Sequence, residues 1–126
     1  MKTRINFLTA SLVIILFMSV SSMKAQSNVD FFVGTWNVMA YDLPSGDTEM
    51  VIKLNKNNED KLEGTIGDKG DANPITISRI EVDEDLITLY YTASGHQVYT
   101  TMEKDGDTTI TGSIMDMFDI EGTKKE

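Results

Sequence analysis

The sequence predicts an all-β fold: an eight-stranded antiparallel up-and-down barrel in residues 26–126, preceded by a signal peptide in residues 1–25. Three observations carry this reading. Turn-forming residues recur about every 8–12 positions after residue 30. Apolar and polar residues alternate with period two between those turns, as in strands with one buried face. No stretch beyond residue 30 shows helical periodicity. The 126 residues suffice for one domain.

Residues 1–25 come first. Lys2 and Arg4 give a positive start, an apolar stretch follows from Phe7 to Val20, and small or polar residues close it at Ser19, Ser21 and Ser22. Cleavage is expected after Ala25, or alternatively after Ser22. The run is shorter than the roughly 20 apolar residues that span a bilayer, and Thr9 and Ser11 interrupt it. With no cysteine at the cut there is no site for a lipid anchor. The expected product is exported, periplasmic or extracellular, with no membrane span after signal removal.

The strand segments follow in order. Phe32–Tyr41 places Trp36, Val38 and Ala40 on one face; Pro44-Ser45-Gly46-Asp47 then turns the chain. Thr48–Asn55 puts Met50, Ile52 and Leu54 in phase, and Asn57–Asp60 is a polar turn. Leu62–Gly67 aligns Leu62, Gly64 and Ile66. In Ile75–Val82 the phase slips: Ile75 and Ile77 share one parity, Ile80 and Val82 the other, so a bulge or sharp bend is expected there. Leu86–Ala93 carries Ile87, Leu89 and Tyr91 opposite Thr88, Tyr90 and Thr92. Ser94-Gly95 turns into Gln97–Lys104, with Val98, Thr100 and Met102 in phase. Asp105-Gly106-Asp107 is a hairpin turn before Thr108–Met115. Phe118–Lys124 closes the chain with Phe118, Ile120 and Gly122 in phase. Leu62-Glu63-Gly64-Thr65-Ile66 and Ile110-Thr111-Gly112-Ser113-Ile114 both set a glycine on the apolar face, which suits close backbone approach at a tight barrel bend. Eight strands enclose an interior that side chains fill or that holds one small ligand.

Charge and composition exclude several classes. The formal net charge is −9, but residues 26–126 hold all 20 acids and only eight of the eleven Lys and Arg, a net charge of −12. Nucleic acid is therefore a poor partner, since phosphate rewards clustered Lys and Arg. Without cysteine there is no thiol catalysis, thiolate zinc site or c-type haem attachment. About 100 residues must hold together by packing alone in an exported setting.

Phe31-Phe32-Val33-Gly34-Thr35-Trp36 opens the first strand. Gly34-x-Trp36 at the head of an eight-stranded meander resembles the lipocalin signature, with Gly34 bending the chain into the barrel and Trp36 plugging one end. The mature chain is similar to the short lipocalin-like domains exported by Bacteroidetes bacteria, and Met115–Gly122 adds to the likeness. The resemblance implies a binding protein for a small hydrophobic molecule, with no cofactor. Lipocalins carry an Arg near the last strand that stacks on the motif Trp. Here Arg79 is the only Arg after residue 25 and lies in the fourth segment, so Lys124 is the base placed for that role.

The residues give little sign of catalysis, so no enzyme is expected. His96 is the only histidine and follows a turn. No nucleophile elbow surrounds Ser94 or Ser113. Glu49, Glu63, Glu103 and Glu121 sit mid-strand, mostly opposite the apolar face, which reads as a solvated exterior and not as the cleft that paired carboxylates need. Asp68–Asp71 and Asp105–Asp107 lack the spacing of a calcium loop, so no metal site is expected. The candidate ligand-binding residues are Trp36, Val38, Tyr41, Met50, Ile52, Leu89, Tyr91, Met102 and Phe118. Trp36 would form the floor, and Tyr41 and Tyr91 would be polar tips beside the ligand. Tyr90 and Tyr99 share the outward parity. They define the alternative: a filled core with an outer aromatic patch that recognises a protein or glycan partner.

Overall fold

Nine antiparallel strands form one up-and-down sheet in the computed structural model, which describes residues 29–125. The signal peptide expected in residues 1–25 lies outside the described residues. The strands are β1 (Gly34–Ala40), β2 (Thr48–Lys56), β3 (Leu62–Asp68), β4 (Ile75–Thr76), β5 (Arg79–Asp83), β6 (Leu86–Ala93), β7 (His96–Lys104), β8 (Thr109–Ile114) and β9 (Phe118–Lys125). Their order across the sheet is β4-β3-β2-β1-β9-β8-β7-β6-β5. The chain divides into two units, Met1–Phe31 and Phe32–Glu126, and all strands belong to the second.

The count differs from the expected eight at one place. The segment Ile75–Val82, read as a single strand with a phase slip, breaks into β4 and β5 at Ile77-Ser78. Ile77 donates its N–H to the Gly64 carbonyl of β3 at 2.9 Å. Ser78 donates its N–H to the Tyr90 carbonyl of β6 at 2.8 Å, and its hydroxyl bonds the same oxygen. One bent segment thus pairs with both edges of the sheet and draws them together. It cannot run as one straight ladder, because its first half belongs to β3 and its second to β6.

The first strand begins at Gly34 rather than at Phe32. Residues 29–32 make a helical turn instead, and Gly34, at φ +138°, redirects the chain into β1. Ser94 and Gly95 both take positive φ, +53° and +80°, as a two-residue type I′ hairpin requires. Met115 and Asp116 take φ +53° and +56° between β8 and β9. No glycine marks that turn in the sequence.

Alternation sets the core. Trp36, Val38, Ile52, Leu54, Ile87, Leu89, Tyr91, Met102 and Ile110 are buried as their parity requires. Phe32, Ala40, Ile66, Ile77 and Ile120 join them. Val82 keeps phase with Ile80 yet is 42% exposed, because β5 is the last strand on its side of the sheet.

Gly64 and Gly112 occupy equivalent places. A Cβ on Gly64 would run into the Lys53 carbonyl oxygen of β2, and one on Gly112 into the Thr101 carbonyl oxygen of β7. Both contacts are with backbone, which no rotamer change relieves. Gly64→Ala and Gly112→Ala should each cost about 3 kcal/mol, the upper end of overpacking. Gly70→Ala, facing open space at φ +84°, should cost only about 1 kcal/mol. Urea unfolding midpoints of the three variants check this order.

Candidate functional site

The barrel has one end sealed by side chains. Trp36 is fully buried, and its Nε1–H donates to the Phe32 carbonyl at 3.0 Å. Across the β1–β9 pair, Lys124 faces Trp36 in register and its Nζ lies 5.1 Å from the ring centroid. The Lys124 stem runs beside Gly34, where an added Cβ would sit 3.5 Å from its Cδ. Burial lowers the Lys124 pKa from the usual lysine range. The cation–π contact expected of the terminal base is therefore made by Lys124.

Toward the other end the inward side chains are less covered. Met50, Val98, Ile114 and Phe118 are half-buried. They belong to β2, β7, β8 and β9, and Val98 pairs in register with Tyr91 while Ile114 pairs with both Thr100 and Phe118. Beneath this apolar wall lies a polar pair: the Tyr91 hydroxyl and Thr100 Oγ1 stand 2.7 Å apart, both residues buried. Burial raises the Tyr91 pKa above the ordinary tyrosine value, and the Thr100 hydrogen bond offsets part of that rise.

The sequence-predicted site residues separate into three groups. Trp36, Val38, Ile52, Leu89 and Met102 are packed in the core, and Tyr91 joins them with its hydroxyl engaged. Met50 and Phe118 are half-buried. Tyr41 is not a polar tip inside the barrel. It follows Ala40, which faces inward, so period two turns it out, and its hydroxyl donates to the exposed Glu121 carboxylate at 3.2 Å. Burial and then the Glu121 charge raise its pKa. Thr100 was legible only as a residue of inward parity; its hydroxyl became significant once Tyr91 was across from it.

The outer face carries two concavities among the described residues. One, of about 720 Å³, runs over β1, β9 and β8 and is lined by Asn37, Met39, Tyr41, Thr111, Glu121 and Thr123 among others; Glu49 and Lys69 pair at its rim at 2.9 Å. The other, of about 490 Å³, lies on β5, β6 and β7. Tyr90 and Tyr99 form its aromatic pair, with centroids 6.4 Å apart and planes tilted by 42°. Arg79 lies 4.3 Å over the Tyr90 ring. The carboxylates Glu49, Glu63, Glu103 and Glu121 and the single His96 are all exposed. Among the described residues no three His, Asp or Glu side chains gather as a metal site.

No protein-family model matches the chain, and no curated protein matches it. Among solved structures it is similar to a redesigned β-barrel at a TM-score of 0.52 and 18% identity, covering 78% of this chain and 94% of that one. A second redesigned barrel, mFAP1 bound to DFHBI, aligns at a TM-score of 0.46 and 22% identity over 78% of this chain and 97% of that one. The first likeness supports a barrel fold.

Tyr91→Phe removes one partner of the buried pair and leaves the Thr100 hydroxyl without it, so at neutral pH it should cost about 1–2 kcal/mol. The pH dependence has a definite sign. The folded pKa of Tyr91 is raised, so its protonated form is favoured in the native state. That contribution is complete below the unfolded tyrosine pKa and is lost as pH rises from about 10 through the folded value. Wild-type stability should therefore fall more steeply than that of Tyr91→Phe above about pH 10, as read by urea unfolding at successive pH values.

Proposed function

We propose that this chain is an exported lipocalin-like binding protein that takes a small hydrophobic molecule at the end of the barrel remote from Trp36. The observation that carries the reading is the contrast between the two ends. Trp36 and Lys124 seal one, while half-buried Met50, Val98, Ile114 and Phe118 surround the other above the Tyr91–Thr100 pair. An apolar wall with a few convergent polar groups is the usual make-up of a small-molecule site. Methionine adapts its shape to varied apolar guests. Trp36, Ile52, Leu89 and Met102 fill the lower core, so the site is shallow and bound molecules are small.

The reading is of a binding protein and not an enzyme: Glu49 and Glu121 line one outer concavity, but both are exposed, Glu49 is paired with Lys69 and Glu121 accepts from Tyr41. Lys124 over Trp36 and the Gly34 bend favour the lipocalin-like assignment, since they reproduce the stacked base and bent entry that the motif implies. Export rests on the charged start and apolar run of residues 1–25.

Titrating the purified chain into a panel of apolar fluorophores, and following the emission of each probe, tests the site. At least one probe should saturate, and Phe118→Ala should weaken it about tenfold, the loss of one buried aromatic contact. No saturable change with any probe, or binding indifferent to Phe118→Ala and Val98→Ser together, would overturn the proposal. Expression in a bacterial host tests export: the recovered protein should begin at Gln26 or Met23. A membrane-retained chain still beginning at Met1 would refute it.

A further inference from the structure

The outer groove on β5, β6 and β7 is built for a ligand of a different kind. Its central feature is the tilted pair of Tyr90 and Tyr99. Both rings are held by their hydroxyls: Tyr90 donates to Glu81 at 3.3 Å, and Tyr99 donates to Asp116 at 3.0 Å. Asp116 is set in place by the turn in which it and Met115 take positive φ, and it also accepts from the Ser113 hydroxyl at 3.3 Å. Hydrogen bonding to Asp116 is the main cause of a raised Tyr99 pKa, followed by burial and the charges of Asp116 and Tyr90. Arg79 is positioned twice over, 4.3 Å above the Tyr90 ring and 3.3 Å from the Glu81 carboxylate.

Three properties narrow the occupant. The first is charge. Arg79 is matched by Glu81 and Asp116 is bonded by two hydroxyls, so the groove offers no uncompensated cation for an anionic ligand. The second is the backbone. β6 pairs with β5 and β7, and β7 pairs with β6 and β8, so their ladders are taken. An extended peptide could add no strand over β6 or β7, which carry the two tyrosines, and would meet side chains alone there; only β5, the last strand of the sheet, keeps an unpaired edge. The third is chemistry. Aromatic faces lie beside carboxylate, guanidinium, amide and hydroxyl groups from Glu81, Arg79, Gln97 and Thr92. Such a mixture suits a ligand with an apolar C–H face and many hydroxyls on its rim. The volume, about 490 Å³, is that of a small-molecule site.

We infer that the Tyr90–Tyr99 groove is a carbohydrate-binding site, in which a neutral sugar ring lies over Tyr99 and exchanges hydrogen bonds with Arg79, Gln97 and Asp116. The site is on the opposite face of the sheet from the barrel interior, so it does not rest on the reading above. β6 carries Tyr90 outward and Tyr91 inward; Tyr91 and Val98 border both sites, whereas Phe118 belongs to the inner one alone.

Saturation-transfer NMR on the full chain tests this with glucose, galactose, N-acetylglucosamine and their short oligomers. At least one sugar should receive saturation from the protein and shift the Tyr90 and Tyr99 ring resonances. Tyr99→Ala should weaken it by about tenfold or more, whereas Tyr99→Phe, which keeps the ring, should retain most of the affinity. Gln97→Ala, at an exposed strand position, should weaken binding by a smaller factor and keeps the test decisive if Tyr99→Ala does not fold. Phe118→Ala should leave sugar binding unchanged. No transfer to any sugar of the panel overturns the inference. So does transfer that survives both Tyr99→Ala and Gln97→Ala, or a Lys- or Arg-rich peptide that shifts the same tyrosines when no sugar does.

Discussion

Two backbone hydrogen bonds hold the architecture together, from Ile77 N–H to Gly64 and from Ser78 N–H to Tyr90. They tie the bend between β4 and β5, the two end strands of the nine-stranded sheet, to β3 on one side and to β6 on the other. The sheet's two end strands are consecutive in the chain, so this one bent segment spans from one side of the sheet to the other. The second bond also links closure to both candidate sites. It ends on Tyr90, whose ring belongs to the outer groove, and the next residue, Tyr91, carries the inner polar pair. A change that loosened the junction at Ser78 would disturb both faces together.

Closing a sheet of so few residues requires strands to approach closely, and Gly64 and Gly112 allow it. At each, the backbone of the neighbouring strand occupies the space a side chain would need. Gly122 extends the pattern inside, where an added Cβ would meet Ile110 and Val38 at 2.9–3.0 Å. Tight curvature leaves little interior, and large side chains use most of it: Trp36, Ile52, Leu89 and Met102 are essentially inaccessible. Such packing suits a domain that has no disulfide to constrain it. The interior is least filled at the end where Met50, Val98 and Phe118 remain half-buried.

Much of this was legible in the residues. The boundaries of Leu86–Ala93 and the inward set from Trp36 to Ile110 follow from period two, which is a local property of extended chain. The phase slip after Ile77 marked the place of the bend, and the glycines at positions 64 and 112 marked close approach. The terminal lysine stacks on Trp36 because alternation along β9 and the pairing of β9 with β1 set it there. Other features were not legible. The bond of the Tyr41 hydroxyl to Glu121 joins residues 80 positions apart, which no local pattern shows. The positive-φ turn at Met115-Asp116 has no glycine to announce it.

The sequence by itself determined which residues extend, which side of each strand is apolar, where turns fall and how the charge is distributed. It did so because these depend on neighbours one to four positions apart. Only the tertiary structure decided that the fourth segment divides between two partner strands. It alone set Thr100 beside Tyr91, and Arg79 and Glu81 around Tyr90. Those pairings depend on cross-strand register and on the curvature that brings distant strands together, and neither is encoded in any short stretch of the chain.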